Sequence, residues 1–110
     1  MVKIYYDPEG DLLEIQFART VKPSRGIGLT DQITVFYDED VEAPLGLTAT
    51  SYAKLLAHPR LPLTELLDAP VSIQQKVRQS LQRLPLGRFL HLEGDFVELE
   101  DVRMSELVYP

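Results

Sequence analysis

A tyrosine–aspartate turn is written twice between alternating apolar stretches. It reads Ile4-Tyr5-Tyr6-Asp7-Pro8-Glu9-Gly10-Asp11 and then Val35-Phe36-Tyr37-Asp38-Glu39-Asp40. In each block strand-forming residues run into a short acidic turn, and another apolar run follows. Consecutive β-hairpins carry this signature, so the first half is expected to be an antiparallel sheet. Val2, Ile4 and Tyr6 alternate with Lys3 and Tyr5, a period of two. Pro8 presets φ, Gly10 accepts positive φ, and the acids bond their own backbone, so the chain turns there. The return strand puts Leu13, Ile15 and Phe17 on one face and Glu14 and Gln16 on the other. Leu12 is the exception, apolar on the wetter face. Residues 20–28, with Pro23 and two glycines, read as a longer connection or an edge. Ile33 to Tyr37 is the third strand and Leu45 to Thr50 the fourth, with Pro44 at a start where a missing N–H is tolerated.

The pattern changes after Thr50. Residues 51–57 read as two helical turns stopped by Pro59, with Ser51 as the N-cap. Thr64 to Leu67 suggests another short turn, ended before Pro70. The clearest helix follows over 72–84. Ser72 and Gln75 have capping-box spacing, and Ile73, Val77, Leu81 and Leu84 recur at helical spacing before Pro85 and Gly87. A third hairpin closes the chain: Phe89 to Leu92, the turn Glu93-Gly94-Asp95, then Phe96 to Glu100. Residues 58–72 hold three prolines and are the one plausible hinge, although Leu61, Leu63, Leu66 and Leu67 call for burial. The expected fold is α+β: a four-stranded antiparallel β-meander, short helices, one longer amphipathic helix and a C-terminal β-hairpin. All 110 residues fit a single domain, with the meander in 1–56 and helices plus the closing hairpin in 57–110.

Composition narrows the chemistry. The chain is 45% hydrophobic and 25% charged, ordinary for a packed domain. It has no cysteine, which removes disulfides, thiol nucleophiles and cysteine-ligated zinc. No apolar stretch approaches the ~20 residues of a membrane span, and the N-terminus enters a strand pattern at once, so a cytoplasmic protein is expected. The net charge of −6 speaks against general affinity for nucleic acid. The charge is uneven: four basic and nine acidic side chains in 1–53, six and two in 54–91, one and six in 92–110. A basic middle between acidic ends is either a docking surface or a means of holding the chain's own parts together.

The first half, through Leu56, resembles the bacterial family catalogued as domain of unknown function 2283. The residues that carry the likeness are Ile4, Tyr6-Asp7-Pro8, Asp11, Leu13, Ile15 and Phe17, then Ile33, Val35, Tyr37-Asp38, Asp40, Gly46-Leu47 and Ala53. The resemblance implies a small β-meander followed by a helix and implies no activity. Relatives that neighbour small toxin-like proteins imply an antitoxin-like or accessory binding role.

Candidate sites are few. Asp7, Glu9 and Asp11 look like the opening of a calcium loop, but the twelfth position is Ala18 instead of a bidentate Glu. They are read as turn residues, as are Asp38, Glu39, Asp40 and Glu42. No metal or cofactor is expected. His58 and His91 can be combined on paper with Ser51 and any of seventeen acids, which singles out no catalytic set, and no serine sits in a nucleophile elbow. The outer face of the helix over 72–84 is basic and amide-rich. Lys76, Arg78, Gln79 and Arg83 are the candidate partner-binding residues, best suited to an acidic protein partner or a second copy of the chain. Exposed end strands likewise suit strand addition and a homodimer. Two alternatives stay open. One is a small enzyme or ligand-binding protein with its site between sheet and helices; the other is a nucleic-acid-binding antitoxin using Lys76, Arg78 and Arg83.

Overall fold

Five short segments of alternating polarity build the larger of two sheets. The computed structural model describes residues 2–18, 24–101 and 107–108. Strands β1 (Lys3–Asp7), β2 (Leu12–Gln16), β3 (Arg25–Gly28), β4 (Ile33–Tyr37) and β5 (Pro44–Thr50) are all antiparallel, in the order β3-β4-β5-β2-β1. Four of them are the strands expected from the sequence, and β3 is the edge that residues 20–28 left open. The order departs from a simple meander at one point. β2 pairs with β5 (Leu13↔Ala49, Ile15↔Leu47) and not with β4, so the chain crosses to the far edge before returning through β3, β4 and β5. Residues 19–23 of that crossing lie outside the described residues. The longest apolar strand, β5, thereby takes the centre, and a four-residue strand is left at the edge, where short strands pair less readily with foreign chains.

One face of this sheet is dry. Ile4, Leu13, Ile15, Ile27, Ile33, Val35, Tyr37, Leu47 and Ala49 all point to it and are buried. Helix α1 (Tyr52–Ala57) buries Tyr52 and Leu55 there. Its start corrects the expected cap. Ser51 is at the N-cap position but left-handed (φ 52°, ψ 48°), and its hydroxyl makes no cap bond. Asp11 caps the helix from the β1–β2 turn instead: its carboxylate accepts the Ala53 N–H at 3.1 Å, and its carbonyl accepts the Tyr52 N–H at 3.1 Å.

The proline-rich segment is pinned, not hinged. Strand β6 (Arg60–Pro62), which the sequence pattern did not reveal, is followed by a 3-10 turn at Leu66–Asp68. Leu63 and Leu66 are buried as expected, whereas Leu67 is 46% exposed. Helix α2 (Val71–Leu81) starts one residue early and stops short of Leu84. No side chain caps it, so the Ser72–Gln75 box is not formed. Gln74 holds the entry, its amide donating to the carbonyls of Leu67 and Ala69. Pro85 disfavours a helical Leu84, and that side chain is 82% exposed, not part of the apolar stripe. After α3 (Leu86–Phe89), the hairpin of β7 (Leu90–Glu93) and β8 (Phe96–Leu99) forms as expected and joins β6 in a second sheet ordered β6-β8-β7. A two-residue strand, β9 (Leu107–Val108), lies parallel to β1 at its outer edge. The buried residues form one core cluster that runs from Ile4 to Leu99, so both halves of the chain share it.

Candidate functional site

Among the described residues no helix or second sheet covers the other face of the large sheet. Strand alternation sends Lys3, Tyr5 and Asp7 from β1, Leu12, Glu14 and Gln16 from β2, Thr34 and Phe36 from β4, and Gly46 and Thr48 from β5 to this side. Register sets them in rows: Tyr5, Glu14, Thr48 and Thr34 lie side by side, as do Lys3, Gln16, Gly46 and Phe36. Tyr5, Leu12, Glu14, Thr34, Phe36 and Thr48 are each half-buried. Gly46 is a notch in the middle of this face. A Cβ there would lie 2.6 Å from the Ile15 carbonyl oxygen, so the close approach of β5 to β2 demands glycine. The Phe36 ring leans over Gly26, the next glycine in the row; a Cβ on Gly26 would meet that ring at 3.2 Å.

Two grooves follow from that relief. One of about 390 Å³ runs over Gly46 between Phe36 and the Glu14–Gln16 pair. The other, about 360 Å³, is lined by Tyr5, Asp7, Leu12, Glu14 and Gln16. Glu14 and Gln16 form the ridge between them, the Gln16 amide donating to the Glu14 carboxylate at 3.0 Å. Among the described residues the lining carries two carboxylates, Asp7 and Glu14, and no cation. The sequence signal of this surface lies in the out-of-phase positions of the same strands, Leu12, Glu14 and Gln16 among them.

The four residues expected to bind a partner divide in two. Lys76 donates to the Asp40 carbonyl at 2.8 Å and lies 3.3 Å from the Glu42 carboxylate. Arg78 donates to the Gly94 carbonyl at 2.7 Å and to the Asp95 carboxylate at 2.8 Å. Gln79 and Arg83 stay exposed, the Arg83 Nε donating only to the Gln79 carbonyl of its own helix. Arg60 adds a contact to Glu93 at 3.7 Å. The basic middle of the chain thus reaches an acidic turn in each flanking segment.

Three acids of the two tyrosine–aspartate turns, Asp7, Asp11 and Asp38, bond backbone or side-chain donors nearby. Asp7 accepts the Glu9 N–H, and Asp11 accepts the Tyr6 hydroxyl at 2.6 Å. Asp38 accepts the N–H groups of Glu42 and Ala43. Tyr37 turns inward: its hydroxyl meets Ser80 Oγ at 2.7 Å, and Ser80 itself donates to the Val77 carbonyl. Burial pushes the Tyr37 phenol up and the Ser80 bond offsets part of the rise, leaving it at about 12. Glu65 is held above the usual carboxylate range, first by a shared hydrogen bond with Asp31 and then by desolvation. Its stem packs beside Gly28 at the end of the β3 edge, where a Cβ would meet it at 3.4 Å.

A third groove, about 460 Å³, lies between the end of α1 and the small sheet. There His91 Nε2 is 2.6 Å from a Glu100 oxygen, with Glu98 and Asp101 beside them. Among the described residues its lining includes no Ser, Thr, Lys or Tyr. Among the described residues no helix is long and apolar enough to cross a membrane. No family model, curated protein or solved structure matches the chain.

Proposed function

We propose that the chain is an accessory protein-binding module of the bacterial cytoplasm, antitoxin-like in role, whose partner protein or second copy docks on the open face of the sheet. One observation carries the placement. The open face keeps half-buried aromatic side chains beside two grooves, while Lys76 and Arg78 of the helix are already used within the chain. Half-buried aromatics with a polar surround are what binding surfaces share.

The test uses tagged protein in host lysate in three forms: wild type, Phe36→Asp, and Lys76→Ala/Arg78→Ala/Arg83→Ala. The expected result is a stoichiometric protein held by the wild type and the triple variant and lost with Phe36→Asp, with Thr48→Arg as a second disruption of the same face. Loss in the triple variant alone moves the partner to the helix. Nothing captured, together with a monomer in light scattering, removes the binding module. The enzyme alternative draws on the His91–Glu100 pair in the third groove, and a ligand that raises the melting temperature of the wild type but not of His91→Ala would favour it.

A further inference from the structure

The proline-rich segment is joined to the large sheet at a place where like charges meet. In the β3–β4 turn the Leu29 carbonyl accepts the N–H groups of Glu65 and Leu66, at 3.2 and 3.3 Å. Thr30 stiffens that turn, its hydroxyl accepting the N–H groups of Gln32 and Ile33 at 3.1 Å each. Asp31 follows in the same turn, two residues beyond the accepting carbonyl. The backbone join thus brings the Glu65 side chain to Asp31, and the two carboxyl groups share a hydrogen bond. On the β3 side the Glu65 stem lies against Gly28. Among the described residues the charged groups that act on Glu65 are Asp31 from the turn and Asp68 from its own 3-10 segment, both acids. Elsewhere across the seam between the halves the signs are opposite, as where Lys76 meets Glu42.

Two carboxyl groups hydrogen-bond to each other only while one holds a proton, because an ionised carboxylate has no donor. With the proton gone the same geometry sets like charges together, and Asp68 adds a third. All three are exposed, so water and salt weaken the repulsion without reversing its sign. Glu65 keeps its proton above the ordinary 4.5, first through the Asp31 bond, then through desolvation and the two neighbouring charges. The folded chain therefore holds that proton to higher pH than the unfolded chain. Its contribution is complete below 4.5 and is lost as pH climbs through the raised value.

We infer that Asp31 and Glu65 form a proton-operated clasp, which fastens the proline-rich segment to the β3–β4 turn in acid and loosens it toward neutral pH. The clasp is independent of the docking face proposed above.

The test is an NMR titration of isotope-labelled full-length protein between about pH 3.5 and 7.5. It follows the side-chain carboxyl carbons of Asp31 and Glu65 and the exchange protection of the Glu65 and Leu66 amides, with the Val35 and Leu47 amides as reference. In the wild type Glu65 is expected to titrate above 4.5. Protection of its amide and that of Leu66 should fall about two- to fivefold over the same range, the scale of a surface charge interaction. In Asp31→Asn the Glu65 midpoint should drop back and the protection become flat. Glu65→Gln, whose amide can donate to Asp31 at any pH, should hold the acid level of Leu66 protection throughout. Equal Glu65 midpoints in the wild type and Asp31→Asn overturn the inference, as does flat protection in the wild type. A pH dependence that persists in Glu65→Gln overturns it as well. Protection lost in step at Val35 and Leu47 is global unfolding and refutes a local clasp. Millimolar Mg²⁺ or Ca²⁺ that restores protection at neutral pH assigns the pair to a cation instead of a proton.

Discussion

Asp11 shows how a conspicuous sequence motif becomes structural. Left-handed at φ 49°, it takes the Tyr6 hydroxyl and the first N–H groups of α1 together, tying the β1–β2 turn to a helix forty residues away in sequence. Asp11→Ala should lower stability by roughly 2–3 kcal/mol, the sum of a lost cap and a lost charged hydrogen bond. Tyr6→Phe should lower it by about 1 kcal/mol. In urea unfolding the double variant should fall short of the sum, because the two share a bond. Tyr37 makes a pH prediction. Its folded pKa, about 12, lies above the ordinary value of 10. As pH rises past 10 the unfolded chain gives up the phenolic proton while the folded chain keeps it, so the unfolded state binds fewer protons and stability falls. Two units correspond to roughly 2–3 kcal/mol at most, present below pH 10 and lost by about pH 12. Tyr37→Phe should show a shallower decline over that window in urea midpoints. Neither role could be read from the residues alone. The two tyrosines occupy the same place in the same motif, yet one reaches Asp11 and the other Ser80.

Among the elements, helix α2 shows why boundaries are harder to read than periods. Val77 and Leu81 are buried as their spacing requires, but the start is set by an extended Pro70 and the end by Pro85. The charged face of the helix is an anchor in two directions, Lys76 to the β4–β5 turn and Arg78 to the β7–β8 turn. The Arg78 side chain is 27% exposed and makes two short bonds, whereas that of Lys76 is 43% exposed. Arg78→Ala should therefore cost about 1 kcal/mol, and Lys76→Ala a few tenths, with both effects shrinking in high salt. Thermal melts at two salt concentrations would measure this. An Arg78→Ala variant as stable as wild type would count against the anchor. Gly94, at φ 59°, supplies the two-residue turn that Arg78 grips, and that turn was legible because Glu-Gly-Asp sits between alternating runs.

On the scale of the molecule, the two halves share one core cluster. The apolar face of the first-half sheet is closed by residues of the second half, including Val77, Leu81, Phe89 and Val97. Phe17 stacks on Phe89 with centroids 5.8 Å apart. Tyr37 and Ser80 bond across the same seam. A fragment of residues 1–56 is expected to lack a cooperative thermal transition and dispersed amide signals, because its core face would meet water. A sharp transition in that fragment would show that the meander is a domain in its own right.

Period, turn chemistry and composition needed no third dimension. They gave the α+β class, four of the strands, the first short helix, the middle of α2 and the closing hairpin, because each depends on neighbours a few residues apart. Strand order, the cap from Asp11, the use of Lys76 and Arg78 within the chain, and the second face of the large sheet all depend on residues 16 or more apart in the chain, or on which side of a sheet is covered. Alternation specifies that a strand has two faces. Which of the two meets solvent follows only when the helices and the second sheet choose the other.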